Sequence, residues 1–458
     1  MASEKPNLLF LMADDHAGYV LGAAGNNLAQ TPNLDRLARQ GTRFASNYCN
    51  SPVCTPSRQS ILTGLYPHAA GVTTLKTALS EDKITLADLL GAAGYNTAAF
   101  GKMHFNQPGK DGLHGFKTAM TEDHVNRGWQ TAIGKPRPPW RPFQDPARIW
   151  LNSARQALPF TDAEMRSTWQ LEHAKTWLNQ NHKDAPFALW FSIQEPHSPF
   201  DFPTEDQARF SPDRFQVPKV GVEDGWQIPL IFRDLSPQEK QGIIAAYYSS
   251  TSFLDRNMGR LLAHLNKLGL DDNTLVVYMA DHGYSLGQHG RFEKHCFYQP
   301  AMQVPLIFRM PGKVEQGKVI ARATESVDVS PTICRLLGLK DQFPKTHGRD
   351  LFTGKPRDEI FSIYLENEEA CMIWENWKLI YTTGSRKRTD GYETADPTPG
   401  RIVRLYDRKH DPGEFTNVAQ KYPALVQTLT RRLEEKFQAT HPEPGLTLDN
   451  YLRPRDAA

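Results

Sequence analysis

Four short apolar runs constrain the fold of this chain more than any other feature. They occupy residues 8–13, 96–100, 187–193 and 274–280, and polar residues follow each run at once. A continuous apolar run of this length is typical of a strand buried on both faces of a parallel sheet. Because ligands bind beyond the carboxyl ends of the strands in open α/β sheets, we predict that the polar residues form one functional edge.

Helical patterns alternate with these runs. Thr31 and Thr85 each precede a short pattern that ends at a glycine, and Ser236 opens a capping box before a long pattern that continues to Leu268. The apolar positions of the long pattern keep helical spacing, so we interpret them as core. This alternation predicts an α/β fold.

The pattern of predicted strands and helices changes near residue 356. Short apolar runs at 360–365, 372–374, 378–381 and 401–407 precede an amphipathic pattern at 422–437. Consecutive short strands followed by a helix indicate a small antiparallel α+β subdomain. We therefore predict a catalytic α/β domain over residues 1–355 and a C-terminal subdomain over residues 356–458, since 458 residues exceed the usual size of a single core.

Charge and cysteine content narrow the class of protein. The 53 basic and 51 acidic residues nearly cancel, so neither nucleic acid nor a membrane is expected as a partner. The five cysteines are odd in number and scattered, which argues against a disulfide framework. The first residues lack a signal-peptide pattern, so we expect a cytoplasmic protein, or a periplasmic or secreted one if an export signal had been removed.

Residues 54–58 read Cys-Thr-Pro-Ser-Arg and lead into a short helical pattern that Gly64 closes. Pro56 suits the first turn of a helix. This predicts that Cys54 lies just outside a helix N-terminus, where backbone amides and the helix dipole favour an anion. Arg58 follows about one turn later, and its guanidinium suits a tetrahedral oxyanion. A buried structural cysteine is the alternative interpretation.

Hard oxygen ligands follow two of the apolar runs. Asp14 and Asp15 come after the first run, and Asp281 comes after the last. Carboxylates from two strand ends can hold a divalent cation, and an oxygen-rich set favours Ca²⁺ or Mg²⁺ over zinc. The combination predicts a metal site at this edge of the sheet.

Taken together, these motifs resemble the type I, formylglycine-dependent sulfatase family of the alkaline-phosphatase-like superfamily. Besides Cys-x-Pro-Ser-Arg and the two aspartate motifs, the similarity includes Gly-Lys-x-His at 101–104, His-x-Pro-Phe at 197–200 and Lys294. The resemblance spans nearly the whole chain. It implies a large mixed, mostly parallel sheet flanked by helices, with a small C-terminal antiparallel α+β subdomain.

The resemblance also implies a modified residue and a metal. In the family a maturation enzyme oxidises the cysteine to Cα-formylglycine, whose hydrate is the nucleophile. Ca²⁺, with Mg²⁺ as an alternative, is implied to be bound by Asp14, Asp15, residue 54, Asp281 and His282. Because an imidazole nitrogen is a poor Ca²⁺ ligand, His282 has hydrogen bonding to the sulfate as an alternative role.

The remaining roles follow from the same resemblance. Arg58, Lys102 and Lys294 are implied to stabilise charge on the sulfuryl oxygens. His197 or Lys294 is implied to protonate the leaving alcohol, and His104 is implied to deprotonate the second hydroxyl of the hydrate. The expected substrates are sulfate monoesters, aryl or carbohydrate, whether small molecules or glycans.

Two other functions compete with this interpretation. A phosphonate monoester or phosphodiester hydrolase could use the same scaffold, since both groups are tetrahedral oxyanions. A non-catalytic protein that binds glycans or anions is the rival from another class. Specificity is expected to depend partly on the proline-rich segment 127–150, which contains Trp129, Trp140 and Trp150. We predict this segment to lack regular structure, with its tryptophans packing on the surface or walling the substrate cleft.

Overall fold

A computed structural model describes residues 5–106, 113–136, 147–339, 344, 346–383, 391–394 and 401–452. Its strands are β1 (Asn7–Ala13), β2 (Thr42–Tyr48), β3 (Asn96–Gly101), β4 (Thr118–Thr121), β5 (Phe187–Ser192), β6 (Thr274–Ala280), β7 (Gln303–Arg309), β8 (Lys318–Glu325), β9 (Glu359–Tyr364), β10 (Glu369–Trp374), β11 (Trp377–Thr382) and β12 (Ile402–Asp407). Its α-helices are α1 (Pro32–Arg39), α2 (Cys54–Thr63), α3 (Pro67–Ala70), α4 (Leu86–Ala92), α5 (Glu122–Ile133), α6 (Arg166–Asn181), α7 (Leu230–Arg233), α8 (Pro237–Lys267), α9 (Gln299–Met302), α10 (Val329–Leu336), α11 (Pro423–Thr440) and α12 (Leu448–Leu452).

The large sheet has eight strands in the order β4-β3-β5-β1-β6-β7-β2-β8. The four apolar runs form β3, β5, β1 and β6, which are parallel neighbours. Strand β7 is antiparallel to both of its neighbours, and β8 is parallel to β2. The predicted mixed, mostly parallel sheet is therefore confirmed, and four adjacent strands end at the same edge.

Both faces of this sheet are covered. In β1 the side chains of Leu8 and Phe10 belong to one core cluster, whereas those of Leu9 and Leu11 belong to the cluster on the opposite face. All four side chains are buried. This two-sided burial explains why the strand is apolar at every position rather than at alternate ones.

The smaller sheet is antiparallel throughout, in the order β12-β11-β10-β9, and α11 packs on one of its faces. This confirms the predicted C-terminal α+β architecture. Its other face shares a core with the large sheet, in which Ile360 and Tyr364 pack with Tyr48 and Val53. The division at residue 355 stays a prediction.

Two expectations about local structure are wrong. Helix α5 covers the first third of the segment predicted to lack regular structure, because the prolines begin only at Pro136, after Gly134 has ended the helix in a left-handed conformation (φ 64°). Trp140 lies outside the described residues, whereas Trp129 and Trp150 are buried. Cys54 is the first residue of α2, not the residue before it, since Val53 takes the extended N-cap conformation.

Gly101 ends β3 immediately before Lys102 and has a left-handed φ of 103°. A Cβ at this position would overlap the carbonyl oxygen of Ser192 and the side chain of Gln170. We expect Gly101→Ala to destabilise the fold by about 2 kcal/mol or more and to displace Lys102, as measured by urea unfolding and by activity. Gly94→Ala is the matched control, because Gly94 has a φ of 88° but open space around its Cβ position. Equal losses in the two variants would contradict the steric argument.

Candidate active site

The site lies at the edge where the parallel strands end. Asp14 and Asp15 follow β1, Lys102 follows β3, and Asp281 follows β6. Helix α2 points its first turn at this edge and is buried along its whole length. The Ser57 hydroxyl donates to the backbone carbonyl of Asp281 at 2.5 Å, which fixes the helix to the end of β6.

Cys54 lies at the centre of this cluster. Its Sγ is 3.1 Å from Nε2 of His282, 3.5 Å from Oδ1 of Asp14 and 3.7 Å from Nζ of Lys102. Burial, reinforced by the Asp14 carboxylate, raises the pKa of the Cys54 thiol to about 12. The encoded side chain is therefore a neutral thiol at physiological pH and a weak nucleophile.

His282 presents one nitrogen to the cluster. Its Nδ1 lies 3.0 Å from the carbonyl oxygen of Gly283, which can only accept a hydrogen bond, so Nδ1 carries the proton. Its Nε2 faces Cys54 and lies 3.6 Å from Oδ2 of Asp281. This orientation is compatible with a ligand role for Nε2.

Arg58 is fixed by three acceptors. Its Nε donates to Oδ2 of Asp281 at 2.8 Å, and its Nη1 donates to the hydroxyl of Ser192 at 2.8 Å and to the backbone carbonyl of Lys102. Its Nη2 is buried and has no hydrogen-bond partner among the described residues. It lies 3.8 Å from Oδ1 of Asp14, within ion-pair distance but beyond hydrogen-bond distance, so an oxyanion beside the cluster could accept a hydrogen bond from it.

The two lysines pair with the first two aspartates. Lys102 forms an ion pair with Asp14, and Nζ of Lys294 lies 3.0 Å and 3.3 Å from the two carboxylate oxygens of Asp15. Burial opposes ionisation of Asp14, but the nearby positive charges, Lys102 first, hold its pKa well below the ordinary value. Burial raises the pKa of Asp15 to about 6, because the charge of Lys294 only partly offsets it and Asp14 adds repulsion.

Two histidines lie further from the cysteine. His197 has Nδ1 2.7 Å from the Ser198 carbonyl oxygen and Nε2 4.0 Å from Oδ2 of Asp15, and the edge of Trp150 packs on its ring. His104 differs from the other predicted catalytic residues in what its side chain contacts. Its described ring hydrogen bond joins Nδ1 to the hydroxyl of Thr55, at 3.1 Å, and not to the cluster. Burial lowers the pKa of both imidazoles well below the ordinary value, with help from Lys294 and Lys102, respectively.

Sequence reasoning missed Tyr247, whose hydroxyl helps to hold this site in place. The Tyr247 hydroxyl donates to the carbonyl of Asp15 at 2.5 Å and accepts from the amide of Ala17, which fixes the loop after β1. Helical spacing assigned Tyr247 to the core, and the residue is indeed fully buried. The contact of its hydroxyl depends on how α8 crosses the sheet, so no local pattern could have predicted it.

The donor set fits a divalent cation. One group of ligand atoms comes from Asp14, Cys54, Asp281 and His282, and a second from Asp14, Asp15, Cys54 and His197, with all atoms of a group within 4.8 Å of one another. Three buried carboxylates in one cluster repel one another and are stabilised by a cation between them. The raised pKa of Asp15 reflects this repulsion together with burial.

Fold and site together define an α/β protein in which carboxylates, lysines and a buried cysteine meet at one edge of a mixed sheet. The model of the sulfatase family matches residues 6–339, so the chain belongs to the sulfatase family. The model of the N-sulphoglucosamine sulphohydrolase C-terminal region matches residues 287–440. The protein is thus a sulfatase, as its motifs predict.

Curated relatives agree with this assignment, and a solved structure shares the fold. The chain is 30% identical to an ulvan-active sulfatase of Formosa agariphila, over 98% of this chain and 84% of that protein. It is 27% identical to an N-acetylglucosamine-6-O-sulfatase of Bacteroides thetaiotaomicron, over 94% and 86%. A phosphonate monoester hydrolase from Silicibacter pomeroyi shares the fold, with a TM-score of 0.79, 22% identity and coverage of 95% and 96%.

Two further observations concern the cysteines and the helices. All five cysteines are free and buried, in agreement with the expected lack of a disulfide framework. Among the described residues, no helix combines the length and apolar character that a membrane span requires.

Proposed function

We propose that this sulfatase hydrolyses sulfate monoesters of aryl alcohols or carbohydrates, using a formylglycine made from Cys54 and a bound divalent cation. The observation that carries the proposal is the position of Cys54. Its Sγ lies within 3.7 Å of a lysine, a carboxylate and an imidazole at the start of a buried helix. The carbohydrate sulfatases among the relatives support the substrate class.

The state of the thiol supports its modification. Burial raises its pKa to about 12, so the thiolate is scarce, and a thiol that attacked sulfur would form a thiosulfate ester with no second hydroxyl to expel sulfate. A hydrated aldehyde supplies two hydroxyls on one carbon: one attacks sulfur, and loss of a proton from the other releases sulfate. Because α2 is buried along its whole length, we infer that the maturation enzyme acts before the chain has folded.

We propose that Asp14, Asp15, Asp281, His282 and residue 54 hold the cation, which would be Ca²⁺ with Mg²⁺ as the alternative. When bound, the cation adds positive charge next to the nucleophile and the sulfuryl oxygens. The Nη2 of Arg58, which has no hydrogen-bond partner among the described residues and lies 3.8 Å from Oδ1 of Asp14, would donate to a sulfuryl oxygen. Lys102, paired with Asp14, and Lys294, paired with Asp15, would add their positive charges.

The histidines would move protons. The Nδ1 of His197 faces the Ser198 carbonyl, and its lowered pKa leaves Nε2, 4.0 Å from Asp15, without a proton in the free protein. His197 would therefore protonate the leaving alcohol only once Nε2 has gained a proton in the substrate complex. Lys294 is the alternative donor; although burial opposes its charge, the carboxylate of Asp15 outweighs burial and holds its pKa well above the ordinary value, so it already carries the proton it would give. Its lowered pKa leaves His104 neutral, which is the state required of a base that takes the proton from the second hydroxyl.

Relative rates on two substrate classes test this function. We expect the protein carrying formylglycine to hydrolyse an aryl sulfate faster than the matching aryl phosphodiester, and we expect chelation to abolish both reactions. The measurement is kcat/KM for each ester before and after chelation, with Ca²⁺ restored as the control. A preference for the phosphodiester would favour the phosphonate monoester or phosphodiester hydrolase, and lack of any turnover would favour a binding protein.

A further inference from the structure

We propose that Thr55 is a positioning residue that holds His104 in the tautomer protonated on Nδ1, so that Nε2 is the basic nitrogen. The proposal rests on the function proposed above, in which His104 acts as a base. Thr55 occupies the variable position of the Cys-x-Pro-Ser-Arg motif and is fully buried in the first turn of α2. No feature of the sequence singled it out.

The backbone of His104 is fixed from two sides. The carboxylate of Glu122 accepts from the amides of Met103 and His104, each at 3.0 Å. The side-chain amide of Gln59 donates to the carbonyls of the same two residues, also at 3.0 Å. His104 is held with a left-handed φ of 54°. With its backbone clamped in this way, the orientation of the imidazole depends on the contacts of its ring.

The ring contact determines the position of the proton. The Thr55 hydroxyl lies 2.8 Å from the carbonyl oxygen of Leu75 and 3.1 Å from Nδ1 of His104. A carbonyl can only accept, and two oxygens 2.8 Å apart without a proton between them would repel each other. The single hydroxyl proton therefore points at Leu75, and the Thr55 oxygen must accept from an N–H at Nδ1. The separation of 3.1 Å is also normal for an N–H donor to oxygen.

A neutral imidazole has one N–H, so this contact leaves the lone pair on Nε2. Among the hydrogen bonds of the described residues, those of His104 involve its Nδ1, its amide and its carbonyl and none involves Nε2, so we infer that Nε2 can accept a proton from the substrate complex. Without the hydroxyl, the ring could turn and the proton could occupy either nitrogen. The fraction of molecules in which His104 has its proton on Nδ1 and a basic Nε2 would then fall, although His104 itself had not been substituted.

Thr55→Val removes the hydroxyl and keeps the shape of the side chain, whereas Thr55→Ser keeps the hydroxyl. We expect Thr55→Val to lower kcat by about 10- to 100-fold per converted active site and to lower KM with it, so that kcat/KM changes little, because only the step after alcohol release is slowed and a general base contributes roughly 100- to 10,000-fold in total. Thr55→Ser should restore most of kcat. Rates are divided by the fraction of formylglycine, measured by mass spectrometry, because residue 55 lies within the motif that is modified.

Two readouts separate positioning from a merely structural role. The base acts after sulfur has been attacked, so we expect Thr55→Val to release one alcohol per converted site rapidly and then to turn over slowly. Histidine ¹⁵N spectra, with His104→Gln for assignment, should show His104 protonated on Nδ1 in the parent protein and a mixture of tautomers in Thr55→Val. The matched control is Thr63→Val, because Thr63 is a buried threonine of the same helix whose hydroxyl donates to the carbonyl of Gln59.

The outcomes distinguish the two proposals. A His104 protonated on Nε2 in the parent protein, or a Thr55→Val variant with parental kcat and no rapid phase, would overturn the role of Thr55. Failure of the parent protein to cleave any sulfate ester would overturn the proposed function, and the ¹⁵N spectra would still decide the tautomer.

Discussion

Cys54→Ala is expected to lower kcat/KM for an aryl sulfate by at least about 1,000-fold, because it removes the nucleophile itself rather than a group that assists it. The fold should survive, since the cysteine lies at the first position of α2 and alanine is a good helix former. Activity per folded protein, with circular dichroism as the check on folding, is the measurement.

The modification of Cys54 to formylglycine should be detectable by mass in the parent protein. In a host with a suitable maturation enzyme, the tryptic peptide spanning residues 44–58 should weigh about 18 Da less than encoded when Cys54 is present as the anhydrous aldehyde. Fragment ions must place the loss at residue 54, because Cys49 lies in the same peptide. A partly converted preparation should show activity in proportion to its converted fraction.

Cys49→Ala is the matched control for both measurements. Cys49 is also fully buried, but its Sγ lies 3.8 Å from the carbonyl oxygen of Ala301 and is not one of the clustered candidate ligands of the cation. We expect this variant to keep the mass loss at residue 54 and most of the activity. Full sulfatase activity in a protein that carries only unmodified Cys54 would contradict the formylglycine mechanism.

The second large effect should come from the carboxylates. We expect Asp14→Asn and Asp281→Asn each to lower kcat/KM by about 100-fold or more, because an amide of the same shape removes one anionic ligand from a hard-cation site. Bound metal, measured by elemental analysis, should fall in parallel. Binding stabilises the folded state by about 2.7 kcal/mol at 100 times Kd, so Ca²⁺ should raise the melting temperature of the parent protein and not of the variants.

Asp255→Asn controls for the loss of a buried carboxylate as such. Asp255 is buried in α8 and accepts from the amide of Leu34 at 2.8 Å, where it caps α1 away from the candidate site. We expect this variant to lose some stability but to keep its response to Ca²⁺. Parental activity in Asp14→Asn or Asp281→Asn, with no bound metal, would remove the cation from the mechanism.

The sequence by itself determined the class of fold, the family and the list of candidate residues. A strand buried on both faces is apolar at most consecutive positions, so β1, β3, β5 and β6 could be recognised locally. Parallel strands end at the same edge, so the polar residues after them were predicted to meet. The proposed nucleophile position was equally local, since Cys54 and Arg58 lie four residues apart on one helix.

Only the tertiary structure decided how these residues contact one another. It paired Lys102 with Asp14 and Lys294 with Asp15, placed the Nη2 of Arg58 3.8 Å from Oδ1 of Asp14 with no hydrogen-bond partner among the described residues, and turned the ring of His104 towards Thr55. These contacts join residues far apart in sequence, and the directions of their side chains depend on packing that no local pattern encodes. The tautomer of His104 illustrates the point, because it depends on the carbonyl of Leu75, whose position is set by the folded chain rather than by any motif.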